Sequence, residues 1–428
     1  MKHPTIRTLA LALAVPLVLA TAARAQPFPS FSNPTNITNP YYPVSNLKQG
    51  VTLGVDAGDA YRSEVTLLPT TRTITWAGGV TQTRIEQFVA YLNGDLVEVA
   101  YDYLAQADNG DVYYFGEDVF NYADGVVVNT NGTWLAGRGG APPGVIMPAN
   151  PFVGQIYHPE NFRPVVWEED TVVTLMEPTR TPLGPIHDGL LIHELLLDGS
   201  EELKVFARGF GQVEGREPNA RSHVVLLNRN STPIGQVPNA LDAIESRAED
   251  VLNAVPRWKR VRRQVAGIAA AWNVYRSQAV NTGATPEFVA SIGQLIGELT
   301  AASSVRNAAA TREAANDLRG AAVDLMNFYN PRVPADLQRL DVLQREFILD
   351  VSGGDWTAAA VEHAKAADVV WARLRPFVLL LPGGACRAAE LDESLAEQAK
   401  ALAVNRADAA IEAARDVLEA VEGLGTLY

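Results

Sequence analysis

Apolar and polar positions divide the chain in two. From about residue 51 to residue 228, short alternating or apolar runs recur between Gly, Asn, Asp and Pro, which is the period-two pattern of strands. Arg84–Leu92, Leu96–Leu104, Val112–Phe115, Gly125–Val128, Thr171–Met176, Leu190–Leu197 and Leu203–Ala207 are the clearest. Asn93-Gly94 and Asn109-Gly110 offer the pairs that tolerate positive φ in tight hairpin turns. Gly137–Pro148 reads as a long Gly/Pro loop. The pattern predicts an antiparallel, strongly curved or barrel-like sheet.

After Asn228–Asn239, a linker rich in Asn and Pro, Ala becomes abundant and the period moves toward 3.6. Leu241, Ile244, Ala248, Val251 and Val255 form one helical stripe. Pro256 suits the first turn of a second helix carrying Val261, Val265, Ile268, Trp272 and Tyr275. A third run, from Pro286 toward Tyr329, has a candidate interruption at Ser303-Ser304. Ala335–Val351, Asp355–Arg375 (with Asp355 as N-cap), Ala389–Val404 and Ala407–Leu424 complete an up-and-down bundle. The fold class expected is α+β: a β-rich domain over 26–230, then an α-helical bundle over 236–428. Residues 26–50 read as an extended lead-in pinned by Tyr41 and Tyr42.

Residues 1–25 carry a different pattern. Lys2 and Arg7 precede an apolar run, Leu9–Ala20, and Ala23-Arg24-Ala25 ends it with small residues at the two positions read by a signal peptidase. The run is shorter than the ~20 residues of a membrane span. The expectation is a signal peptide and a periplasmic or secreted protein. No Cys follows the run, so a lipoprotein anchor is not indicated.

Charge sharpens this picture. The net charge is −14, and residues 26–236 hold 24 Asp/Glu against 12 Lys/Arg; the usual meaning of such a surface is solubility, and any affinity for cations would lie in the β-rich part. The same balance argues against nucleic acid and against docking on anionic lipid. Cys386 is the only cysteine, so no internal disulfide can form; its Gly-rich setting reads as an inter-helix loop.

Asn39–Pro43 (NPYYP), Asn109–Asp118 (NGDVYYFGED), Gly132–Trp134, Pro143–Pro151 (PGVIMPANP) and Gly154 together resemble a β-rich domain of secreted bacterial proteins. The resemblance covers about residues 36–216. It implies an exported bacterial setting and brings no activity or catalytic residue with it.

No stretch reads as H-E-x-x-H, G-x-S-x-G, a P-loop or C-x-x-C-H. Two sets of residues could hold a divalent metal ion. Asp108 and Asp111, beside Glu117 and Asp118, could offer oxygens to calcium. His187 and His193, beside Asp188 and Glu194, could bind zinc or copper if Asp188-Gly189 turns the chain; on a continuous strand they stand about 20 Å apart. Glu168-Glu169-Asp170, a second acidic cluster weighed for calcium, reads first as a solvated edge. His363 and Met326 are the one His/Met pair of the bundle available to a haem. The leading functional expectation is an exported, non-enzymatic binding protein. Its partner would be a small or apolar ligand, held by the Tyr101–Phe115 face, or another protein. A metal-handling protein and a hydrolase with an unrecognised site are the alternatives.

Overall fold

The computed structural model describes residues 28–181, 184–229, 235–282, 284–354, 358–404 and 406–428. The expected signal segment 1–25, the N-cap Asp355 and Trp356 lie outside the described residues. The described residues fold as a large antiparallel sheet followed by eight α-helices. Its long strands are β1 (Leu47–Asp56), β2 (Asp59–Trp76), β3 (Gly79–Leu92), β4 (Asp95–Gln106) and β5 (Val112–Ala123). Short pieces follow: β6 (Val126–Asn129), β7 (Trp134–Leu135), β8 (Gly144–Met147), β9 (Ile156–Tyr157) and β10 (Asn161–Phe162). The sheet resumes with β11 (Val166–Thr181), β12 (Gly184–Leu196), β13 (Glu201–Ala207), β14 (Gly211–Arg216) and β15 (Ala220–Arg229).

The strand order is β10-β11-β12-β13-β14-β15-β1-β2-β3-β4-β5-β6. Along this path each strand pairs with its sequence neighbour except at β15–β1, where Leu47 faces Arg229; off the path, β7 and β8 pair with β5 and β9 with β11. The β3–β4 hairpin turns through Asn93 and Gly94, both at positive φ, as their sequence predicts. At Asn109-Gly110 the turn is wider: Gly110 alone takes positive φ, and Ala107 N–H donates to Asp111 O at 2.9 Å. The sheet curls without closing. Its two flanks approach where β8, paired to β5, meets β9, paired to β11, through a single backbone hydrogen bond from Val145 N to His158 O, 3.0 Å. Gly144 is required there, since a Cβ on it would stand 2.0 Å from Pro159 O.

The helices are α1 (Asn239–Ala254), α2 (Trp258–Thr282), α3 (Pro286–Ser304), α4 (Ala308–Met326), α5 (Ala335–Gly353), α6 (Ala358–Val378), α7 (Gly384–Ala403) and α8 (Ala407–Gly425). The expected interruption at Ser303-Ser304 is a full reversal. The bundle resolves into two four-helix groups. Leu241, Ile268, Tyr275, Phe288 and Leu318 centre the first, α1–α4. Leu340, Trp371, Leu391 and Val417 centre the second, α5–α8. Arg319 of α4 ties them, bonding Glu245 of α1 at 2.8 Å and also Asp341 of α5. Cys386 lies in the first turn of α7, exposed, and not in a loop.

The helices cover the outer face of β1–β4, where alternation places Gln49, Val51, Arg62, Glu64, Gln87, Val89, Tyr91 and Val99. Val51 joins the core of the first group, and Val89, Tyr91, Leu96 and Val99 pack on Ala366 and Val369 of α6. The charged groups named on this face are paired. Arg373, the largest fully buried side chain, donates to Glu64 Oε2 at 2.8 Å and to Asp336 Oδ1 at 2.7 Å. Arg62 bridges Glu64 at 2.7 Å and Asp324 at 2.9 Å, and Asp324 also takes Arg339. Burial alone would raise the Glu64 carboxyl, but Arg373 and Arg62 outweigh it and hold it well below the usual carboxylate range. Glu64 therefore contributes stability above that range, which is lost as the pH falls through it.

Removing one partner of a buried ion pair strands the other. Arg373→Ala should cost about 3–5 kcal/mol in denaturant unfolding. In a Glu64→Gln, Asp336→Asn background the same change should cost clearly less.

Candidate functional site

The inner face of the curved sheet is the other half of the same alternation. It encloses a cavity of about 680 Å³, a volume in the range of small-molecule sites. Part of its wall is apolar or aromatic: Tyr42, Tyr61, Phe88, Ile146, Phe206 and Phe210. The rest is acidic. Glu86 comes from β3, Glu98 and Asp102 from β4, Glu117 from β5, and Glu160 from the turn before β10. Across the cavity stand Glu168 and Asp170 of β11, Glu194 of β12 and Glu202 of β13. Strand periodicity explains the spacing: Glu98 and Asp102, Glu168 and Asp170, and Glu202 and Lys204 sit at even separations and so share a face.

Burial is the first cause of unusual proton affinity here. It pushes Glu86 up to about 8, helped by Asp102, and raises Asp102 to about 7 despite the hydrogen bond from Tyr114 Oη, 2.8 Å. Burial also raises Asp170 to about 7 and holds Glu117 and Glu168 well above the ordinary carboxylate range. Glu98, Glu160 and Glu202 move the same way for the same reason. Eight lining carboxyls thus resist ionisation while facing one another.

Lys204 is the cation set among them. Burial would lower its ammonium, but Glu194, Glu202, Glu168 and Asp170 outweigh that and raise it well above the ordinary range. It is paired with Glu194 and lies 3.7 Å from Glu202. Glu214 behaves differently. Burial opposes its ionisation, yet hydrogen bonds from Arg216 and Arg221 bring it down to about 2. It is a satisfied structural carboxylate. Asp170, 5% exposed, has the buried hydroxyl of Tyr157 beside it, a neighbour that favours its ionised form without outweighing burial.

The four metal candidates named from sequence lie elsewhere. Asp108 is exposed and accepts from Ser32 N and Ser32 Oγ, both at 2.8 Å, pinning the lead-in segment. Asp111 accepts from Ala149 N and Asn109 Nδ2, both at 2.7 Å. His187 and His193 share the continuous strand β12; His187 is exposed, and His193 Nε2 sits 3.1 Å from Glu201 Oε2. Among the described residues, the one cluster of possible ligand atoms within 4.8 Å of one another is Glu168, Asp170 and Glu194. It includes none of the four. Nor is Glu168-Glu169-Asp170 a solvated edge, because the first and third residues face the cavity. Met326 is buried in the first helical group, whereas His363, on α6 of the second, bonds Asp350 at 2.7 Å. Of the aromatic face, Tyr114 lines the cavity, while Tyr101 packs against the α6 contact with Phe120.

No protein-family model matches the chain, and no curated protein matches it. Among the described residues no helix is long and apolar enough to cross a membrane.

Glu86, Asp102 and Asp170 hold protons in the folded state that the unfolded chain releases at lower pH. Between about pH 5 and 8 the folded state binds more protons, so stability falls as pH rises through that window. Thermal unfolding should show a higher midpoint at the acid end. Glu86→Gln should flatten the profile and stabilise the alkaline end by on the order of 1–3 kcal/mol.

Proposed function

We propose that the protein is an exported, non-enzymatic binding protein whose curved sheet takes up a small organic cation carrying two or more ammonium groups. The observation that carries this reading is the gathering of eight proton-retaining carboxyls around one ligand-sized cavity. Such a wall is costly when empty of positive charge and favourable when a cation enters. Aromatic and aliphatic stretches between the acids suit the methylene spacers of a polyamine. The apolar run and Ala23-Arg24-Ala25 support export.

A divalent metal is the second reading, and Glu168, Asp170 and Glu194 favour it. Against it, Glu194 is already paired with Lys204, whose ammonium occupies the charge-compensating place a metal ion would take.

Calorimetry with putrescine, spermidine, Ca²⁺, Zn²⁺ and Cu²⁺ decides between them. Spermidine should bind near pH 7 and release protons, because the raised carboxyls ionise as it enters; the heat should therefore depend on the buffer's ionisation enthalpy. Glu86→Gln with Asp102→Asn should weaken binding at least about tenfold, since hydrogen bonds to charged groups are worth about 1.5–3 kcal/mol. Stoichiometric metal binding lost in Asp170→Asn, with no amine response, would favour the second reading.

A further inference from the structure

One end of the first helical group carries charge of the opposite sign to the rest of the protein. Residues 256–263 read PRWKRVRR and hold five of the chain's 35 Lys/Arg with no acid. They form the α1–α2 turn and the first turns of α2, and Arg257, Lys259, Arg260, Arg262 and Arg263 are all exposed. Arg260 is paired with Asp250 at 2.9 Å, and Arg257 bonds the carbonyl of Asn253 at 2.7 Å. Lys259, Arg262 and Arg263 have no ion-pair partner among the described residues. Their i, i+3, i+4 spacing puts them on one face of the helix.

The α3–α4 turn lies at the same end, as the bond from Arg312 Nη2 to Val255 O, 3.4 Å, shows. It adds Arg306, exposed, and Val305, whose side chain is 74% exposed. Trp258 is half-buried, packed on the α1–α4 core and lining a shallow depression with Arg257, Lys259, Arg260 and Arg263. Asp250, the acid nearest to this run in sequence, is paired with Arg260.

We propose that this tip docks on an anionic lipid surface. The chemistry recognised is an array of lipid phosphates, with Val305 and Trp258 entering the interfacial layer. Polybasic groups are drawn to anionic leaflets, and Trp favours the headgroup level. The net charge of −14 does not oppose such a contact. Salt screens it beyond about 8 Å, and a helix the length of α1 spans about 24 Å, so a tip-on contact leaves most of the acidic surface outside that range. A nucleic acid lying along the molecule would meet that acidic surface and is disfavoured. This inference is independent of the cavity.

The test is co-sedimentation of the chain lacking residues 1–25 with phosphatidylcholine vesicles, with and without phosphatidylglycerol. That form keeps every residue of the described fold and removes the Leu9–Ala20 run, which could itself enter lipid. The expected result is binding to the phosphatidylglycerol vesicles alone at ~0.05 M salt, largely lost at ~0.5 M. Arg262→Glu with Arg263→Glu should weaken partitioning at least about twentyfold, near fivefold per charge, with an unchanged unfolding midpoint. Val305→Ser should weaken it less. Four results would overturn the proposal: equal binding to neutral vesicles; no binding at low salt; undiminished binding of the double variant; or displacement by inorganic phosphate at constant ionic strength, which would point to a free-phosphate site. Retention of duplex DNA without vesicle binding would reassign the tip to nucleic acid.

Discussion

The contact between Arg373 and Glu64 is the constraint from which the arrangement of the two halves follows. Neither group could sit at less than a twentieth of its full exposure without the other. Glu64 in turn holds Arg62, which reaches Asp324 on α4, while Arg373 reaches Asp336 on α5. One strand residue thus anchors both helical groups to the sheet. With the outer face of β1–β4 committed to this junction and to Val89, Tyr91 and Val99, the inner face is left to form the cavity.

Two faces of the same strands treat buried carboxyls in opposite ways. Outside, guanidinium groups are supplied at hydrogen-bond distance, and Glu64 stays ionised. Inside, Arg221 is taken up by Glu214, Lys204 is the cation set among Glu168, Asp170 and Glu194, and burial raises the proton affinity of Glu86, Asp102 and their neighbours. That imbalance separates a structural ion network from the wall of the proposed binding site, and under that proposal proton release is the natural signature of filling the cavity.

Much of the architecture is legible in the chain. Period two and Asn93-Gly94 mark the sheet and one of its hairpins, and the stripe from Leu241 to Val255 marks the first helix. Ser303-Ser304 marks a reversal because Asn307 can cap the helix that follows, accepting from Ala310 N at 3.2 Å. The division into two four-helix groups was not legible, since every stripe has the same period whichever neighbour it meets. The cavity was harder still. Asp108 and Asp111 look like ligands, but turn chemistry uses the same residues for capping. The raised acids that line the cavity come from five strands and one loop, and each looks like an ordinary solvent-facing position. Even spacings such as Glu98 to Asp102 were the available signal, but alternation does not tell an inward face from an outward one. Net charge is silent on local distribution, because a sum over the chain hides the excess at PRWKRVRR.

The pairing of β1 with β15 also shapes how the sheet can assemble. Every other long strand finds its partner next along the chain, at the cost of closing a short turn. Leu47 must find Arg229, about 180 residues later. Closing so long a loop costs more entropy than any hairpin here, though the cost grows only logarithmically with length. Until β15 exists, β1 has one unfilled edge and the two hairpin arrays are separate ribbons, so their joining is the step expected to set the folding rate.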